Sequence, residues 1–295
     1  MSGKFSVTVV GGANMDIGGS VTGELRLRDS NIGHIGIKPG GVGRNIAHDL
    51  CLLGLDVRLI AAVGGDLFGA GLLESCRELG MDMSLAPVFP DERSSCYLYV
   101  NDCGGDMRVA VNDMGITERI TPEHLEKCLD KINRCDAVVL DANLTEEAIG
   151  FLAENCAAPL YADPVSCAKA LRLKNALPKL TALKPNAMEA ETLTGEKEPE
   201  KAARALLRMG VKRVFVSLGA EGIVAAEGDT LLRLPSEKAA VVNTTGAGDA
   251  ATAAIVWAGV RGLSLEATAQ AALKAAALTC ESESANCERL RDLSV

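Results

Sequence analysis

Asn243-Thr244-Thr245-Gly246-Ala247-Gly248-Asp249 runs directly into Ala250-Ala251-Thr252-Ala253-Ala254-Ile255-Val256-Trp257. Two glycines flank an alanine where an apolar helix must begin, and a carboxylate stands in its first turn. Glycine lets the backbone turn tightly, and a helix start adds unpaired amides and the positive end of the dipole. The product is an anion hole. A carboxylate beside it repels an anion unless it has a task there. Taking the proton from a hydroxyl that attacks a phosphoryl group is such a task. Gly246, Ala247 and Gly248 are therefore the candidate anion cradle, and Asp249 the candidate catalytic base.

Outward from this helix start, strand-like and helical runs alternate. Phe5–Val10, Val57–Val63, Ala137–Leu140, Leu160–Ala162, Thr181–Leu183, Arg213–Val216 and Ile223–Ala226 are short, apolar and rich in β-branched residues. Between them Gly43–Leu53, Phe68–Leu79, Pro122–Asn133, Glu146–Asn155, Ala187–Leu193 and Pro199–Met209 carry helical periodicity. This order predicts an α/β fold with a mostly parallel central sheet covered by helices on both faces. Two stretches, 16–38 and 94–111, break the pattern with glycines and alternating residues. They read as exposed antiparallel strands that form one small sheet, a lid over a site on the main body. No linker or repeat interrupts the chain, so a single domain over 1–295 is expected.

The composition narrows the function classes. A chain of 295 residues with 48% hydrophobic and 23% charged content is globular rather than disordered. A formal charge of −9 argues against nucleic acid and anionic membrane as partners. The ten cysteines form no C-x-x-C pair, so neither structural zinc nor a disulfide framework is supported. Cys51, Cys76 and Cys128 fall in apolar-periodic segments and read as core residues in a reducing compartment. Met1–Lys4 leads straight into the first strand with no signal-like segment, so a cytoplasmic location is expected.

Four further motifs carry candidate chemistry. Gly40-Gly41-Val42-Gly43-Arg44-Asn45 allows close backbone approach to a ligand and opens a helix, with Asn45 in its first turn. It has neither the Gly-Lys-Ser/Thr of a Walker loop nor the glycine spacing of a dinucleotide fingerprint. Asn14-Met15-Asp16 follows the first strand, where Asp16 can accept from two sugar hydroxyls or serve as a turn residue. Asn186 and Glu189 stand three apart at a helix start, either as an N-cap or as organisers of a magnesium–water–phosphate cluster. Ser217-Leu218-Gly219-Ala220-Glu221-Gly222 closes a strand as a β-turn or as a nucleotide contact.

In this order and spacing, the segments resemble the ribokinase-like kinases of sugars and nucleosides, the phosphofructokinase B family. Gly40–Ala47 and Asn243–Asp249 are similar to that family's two signatures. The resemblance implies a ribokinase-like three-layer fold with a β lid that also mediates a homodimer. It implies ATP and Mg²⁺ as cofactors, with K⁺ as an activator. By it, Asp249 is the base, the amides of Gly246–Gly248 form the anion hole, and Asn14, Asp16, Gly40, Gly41 and Asn45 hold the sugar. Asn186 and Glu189 would organise Mg·ATP, with Glu189 acting on the metal through water. Ser217, Gly219, Gly222 and Gly248 would contact the nucleotide.

Two positions depart from the family pattern. Asn243 stands where many members carry an Asp that binds a monovalent cation, so a coordinating oxygen remains without its charge. Asn143 stands near a sugar-binding Glu, which disfavours plain ribose. The activity implied is phosphorylation of a nucleoside 5′-hydroxyl, with pseudouridine the expected substrate. Uridine, adenosine or ribose, or a catalytically silent regulator, are the alternatives. Asn112 and Asp113, polar residues between Val111 and Met114, are candidates for reading the base or else form a hinge turn.

Overall fold

A computed structural model describes residues 4–294; Met1–Gly3, on which the expectation of no leader rests, and Val295 lie outside the described residues. Strand β1 (Ser6–Val10) leads into β2 (Asn14–Val21), β3 (Gly33–Gly40) and helix α1 (Val42–Leu52). Then come β4 (Asp56–Ile60), β5 (Val63–Gly64), α2 (Leu67–Glu78), β6 (Val88–Phe89), β7 (Cys96–Asn101) and β8 (Met107–Asp113). The middle of the chain forms α3 (Pro122–Ile132), β9 (Ala137–Asp141), α4 (Glu146–Asn155), β10 (Leu160–Asp163), α5 (Cys167–Ala170) and β11 (Ala182–Leu183). The remainder is α6 (Ala187–Thr194), α7 (Pro199–Arg208), β12 (Arg213–Ser217), β13 (Ile223–Glu227), β14 (Thr230–Leu234), α8 (Ala247–Val260) and α9 (Leu265–Cys280).

Eight strands form the main sheet in the order β14-β13-β12-β11-β10-β9-β1-β4. The pairings from β12 to β4 are parallel, and β13 and β14 add an antiparallel edge. Strand β9 explains why the pattern has no polar face: all five of its residues are buried. Ala137 and Val139 pack into one core with residues of α1, α2, α8 and α9. Val138 and Leu140 pack into the other with residues of α3, α4, α6 and α7. Side chains alternate between faces, so a strand buried on both sides is apolar up to its carboxyl end, where the buried Asp141 accepts the Gly12 N–H at 2.9 Å. The result is the three-layer arrangement.

The lid is a separate four-stranded sheet, β3-β2-β7-β8, with β2 and β7 parallel and both outer pairs antiparallel. Its strands begin two residues earlier than expected at Asn14 and extend to Gly40 and Asp113. The lid is therefore continuous with the site motifs. The single strand expected over Val57–Val63 breaks after Ile60, and Val63–Gly64 pairs with β6 instead. Helix α9 and strand β14 had no counterpart in the sequence reading. The alanine-rich α9 has little polar contrast between its faces, and β14 is half-exposed at a sheet edge.

The direction of the connections locates the crevice. From β1 the chain moves to β4 on one side, and later it returns to β9 on the other. The sheet order reverses between β1 and β9, and ligands of open α/β sheets gather at the carboxyl ends of strands at such a point.

Candidate active site

Two helices begin at the crevice without a side-chain cap, and both follow a left-handed glycine. Gly41 (φ 97°) precedes α1 and Gly246 (φ 84°) precedes α8. Helices α2, α3, α4, α6 and α9 are all capped by Asp, Thr, Asn or Ser side chains. In α1 the Arg44 N–H is taken by the Gly12 carbonyl at 3.1 Å, whereas the uncapped start of α8 leaves amides open to a ligand. A Cβ on Gly41 would stand 2.6 Å from the Gly12 carbonyl oxygen, and one on Gly246 would collide with that of Ala285. Gly248 differs from the expectation. It lies within α8, and a Cβ there would meet only the Lys184 Nζ at 3.4 Å. The tight turn thus depends on Gly246, and the openness at Gly248 leaves room for a ligand. The Ala247 N–H makes a long 3.4 Å bond to the Thr244 oxygen. Among the described residues, no hydrogen bond uses the Gly248 or Asp249 amide.

One hydrogen bond joins the two helix starts. Asn45 Nδ2 donates to Asp249 Oδ2 at 2.8 Å across 204 residues of sequence. Desolvation raises the Asp249 pKa to about 7, helped by the charges of Asp163 and Asp141 and opposed by the Asn45 bond and Lys184. Such a carboxyl changes charge near neutrality, as a general base should. Asn45 is itself held: its Oδ1 accepts from Arg44, and its carbonyl accepts from Asn286 Nδ2 at 3.1 Å. Asn286 also donates to Asp49 and accepts from Arg44. This buried network was absent from the sequence reading, since nothing in the polar run Ser282–Asn286 marks Asn286.

Asp16 receives Asn14 Nδ2 and lies against Gly40, where a Cβ would strike its carboxylate. Burial raises its pKa, with Asn14 and Arg44 opposing. A cavity of about 1070 Å³ lies between the lid and the body, lined by Asp16, Lys38, Tyr97 and Tyr99 from the lid and by Arg44, Thr245 and Asn286 below. Register places Asn112 opposite Tyr97, on the lid face of Asp16, and Asp113 opposite Cys96 on the reverse face. Both are exposed. They are strand residues rather than a hinge turn, and they cannot converge on one buried acceptor site.

Asn186 and Glu189 form a reciprocal capping box, each side chain bonding the other's backbone N–H at 2.9 Å. The capping reading of Asn186 is therefore correct, yet it leaves Glu189 one carboxylate oxygen with no protein donor among the described residues. Glu189 is buried, which raises its pKa. Beside it lies Lys184, a residue given no role from sequence although it opens the Lys184-Pro185 pair. Its ammonium contacts Asp163 at 3.3 Å, both groups being buried. Burial opposes its charge, but Asp163, Glu189 and Asp249 together raise its pKa. Ser217 joins Asn186 through a parallel bridge, and its N–H donates to the Pro185 oxygen at 2.9 Å. Gly222 (φ 105°) has no room for a side chain against Leu234. Asn243 Oδ1 accepts the Thr245 N–H at 2.9 Å, so it shapes the approach to the anion hole.

Among the described residues no group of three His, Cys, Asp or Glu could hold a metal alone. A divalent ion here would draw its oxygens from phosphate, water and Glu189, a pattern that suits Mg²⁺.

Comparison with known proteins agrees with this geometry. Residues 4–289 match the pfkB family carbohydrate kinase model. The chain is 37% identical over 291 residues to the pseudouridine kinase of Escherichia coli, covering 95% of this chain and 93% of that one. It superposes on a carbohydrate kinase from Agrobacterium tumefaciens with a TM-score of 0.87 and 31% identity, covering 98% and 96% of the two chains. It shares its fold with an Arabidopsis thaliana ribokinase complexed with ribose and ATP, at a TM-score of 0.84, 23% identity, and 99% and 100% coverage. The chain belongs to the PfkB family of carbohydrate kinases and is an ATP-dependent phosphotransferase acting on a sugar or nucleoside.

Two expectations follow from the site. Gly246→Ala should lower the melting temperature and abolish turnover, because left-handed backbone and the Ala285 carbonyl both refuse a methyl group. Gly248→Ala should keep the wild-type melting temperature while calorimetry shows weaker nucleotide binding. Equal damage from the two would place the anion hole elsewhere. The second concerns pH. Asp249 must be anionic to take a proton, and its raised pKa lies at about 7. A kcat/KM profile should therefore be flat above that pH and fall about tenfold per unit below it. A profile that stays flat down to pH 5 would exclude Asp249 as the titrating base.

Proposed function

We propose that the substrate is pseudouridine and that the chain transfers the γ-phosphoryl group of Mg·ATP to its 5′-hydroxyl. The observation that carries the chemistry is the Asn45–Asp249 hydrogen bond, which sets a general base at the uncapped start of α8. The choice of nucleoside rests on the 37% identity to the E. coli pseudouridine kinase. Asn14, Asp16, Gly40, Gly41 and Asn45 hold the sugar beneath the lid, and Asn143, in the turn just past β9, faces it. Asp249 takes the hydroxyl proton as the oxygen attacks phosphorus. The free amides at the start of α8 and the Lys184 ammonium meet the charge that develops on the phosphoryl oxygens. Glu189 holds the metal through water, and Ser217, Gly219 and Gly222 border the nucleotide. When bound, Mg·ATP supplies the phosphoryl group and partial neutralisation of its charge. Lid closure excludes water and suppresses wasteful hydrolysis. The ten free thiols fit a cytoplasmic setting.

The test is ADP release with Mg·ATP and pseudouridine, uridine, cytidine, adenosine or ribose. Pseudouridine should give the highest kcat/KM, and Asp249→Asn should lower kcat on the order of 10²–10⁴-fold with ATP binding retained. Preference for another acceptor would replace the substrate, and near-normal turnover by the variant would remove the base.

We further propose a homodimer through the lid. On the lid face opposite Asp16, register aligns Ile37, Ile17, Leu98 and Val111 in one row and Ile35, Gly19, Val100 and Val109 in the next. Ile35, Ile37, Leu98, Val109 and Val111 are all exposed on this one face, and a contiguous apolar face of this kind suits a protein partner. Sedimentation should find a dimer that Ile37→Glu converts to monomer. A monomeric wild type would refute this assembly.

A further inference from the structure

One buried carboxylate beside the site takes no proton and grips no sugar: Asp163, the last residue of β10, in register with Asp141 of β9. Its two oxygens are divided. Oδ1 accepts the Val165 N–H at 2.9 Å. Oδ2 accepts the Thr252 hydroxyl at 2.7 Å and lies 3.3 Å from the Lys184 Nζ. Asp163, Thr252 and Lys184 are all buried. Taking an ion pair out of water is costly unless further hydrogen bonds complete it, and this carboxylate has them on both oxygens.

Each attachment leads to the anion hole. Thr252 lies one helical turn beyond Gly248 in α8, the helix whose start leaves amides open. Its hydroxyl stands 3.2 Å from the Gly248 carbonyl as well, but it has one proton, and the shorter contact with a charged oxygen takes it. The Lys184 ammonium ends a flexible four-carbon stem, so it keeps one position only when anchored. Anchored by Asp163, it stands where a Cβ on Gly248 would meet it at 3.4 Å. Asp163 is itself held by the turn that follows it. Val165 keeps φ at 67°, a left-handed backbone that a β-branched residue rarely adopts. Strain of that kind persists where the surroundings over-determine it, and it gathers at functional sites.

We propose that Asp163 and Thr252 are positioning residues for phosphoryl transfer: Thr252 fixes the Asp163 carboxylate from within α8, and Asp163 holds the Lys184 ammonium against the anion hole at Gly248. This rests on the reading of the α8 start and Lys184 as the phosphoryl site. Amides and ammonium then act as one unit, because the helix that supplies the amides also carries the hydroxyl that sets the ammonium.

Steady-state kinetics with Mg·ATP and the best acceptor of the panel above, on Thr252→Val, Thr252→Ser and Asp163→Asn with and without Lys184→Met, test this. Thr252→Val keeps the side chain's shape and should lower kcat about tenfold, the loss of one hydrogen bond to a charged group, with KM for the acceptor within about twofold. Thr252→Ser should restore most of kcat. In the Lys184→Met background Thr252→Val should change kcat by less than about twofold, since it acts through the lysine. Circular dichroism checks each fold, and Thr252→Ala replaces Thr252→Val should the latter not fold. An unchanged kcat in Thr252→Val, or the same tenfold loss with Lys184 absent, overturns the proposal while the reading of Lys184 survives. So does a loss in Asp163→Asn that excess Mg²⁺ reverses, which would make Asp163 a metal ligand. Near-wild-type kcat in Lys184→Met removes that reading itself, and the proposal with it.

Discussion

Two helix N-termini brought together at one hydrogen bond govern this molecule. Asn45 and Asp249 each stand near a helix start behind a positive-φ glycine, and α8 leaves the Gly248 and Asp249 amides without a protein partner among the described residues. Bringing two positive dipole ends together is unfavourable unless negative charge lies between them. Asp249, Asp16 and Asp141 provide it, and an incoming phosphate would add more. Burial at this apposition raises the pKa of Asp249, and the charges of Asp163 and Asp141 add to that rise. Base strength and anion affinity therefore arise from one arrangement and cannot be tuned separately.

The three-layer body exists to hold that apposition. Helices α1 and α8 lie in the same core, on one face of the sheet, so their relative position is set by close packing around Ile46, Leu50, Ala250 and Ala254. Small residues along α8 permit close approach: six of its fourteen residues are alanine. The buried Arg44–Asn286–Asp49 network adds directional bonds where apolar packing has none to offer. A C-terminal loop thereby becomes a structural part of a site assembled mostly from the first and last glycine motifs.

Much of this was legible in the residues. The alternation of apolar runs and helical periodicity predicted the sheet and six of its flanking helices, because the apolar runs are too short for helices and are rich in β-branched residues. Gly41, Asn45 and Asp249 were legible because glycine pairs and a first-turn carboxylate have few other uses. Long-range partners were not. Asn286 carries no local signature, and Lys184 and Asp163 acquire meaning only once their neighbours are known. Gly246 and Gly248 look alike in sequence, and only backbone dihedrals separate the one that turns from the one that makes room. Asn112 and Asp113 illustrate the strand rule that adjacent residues face opposite ways.

The lid begins inside the substrate site. Asn14 and Asp16 are the first residues of β2, and Gly40 is the last of β3. On the proposed reading, the group that grips the sugar is rigidly attached to the cover, with no joint between them. An acceptor held by Asp16 would then be loosened whenever the roof lifted. Capture and enclosure would be a single displacement, so dwell time of the acceptor and dryness of the reaction chamber would rise and fall together.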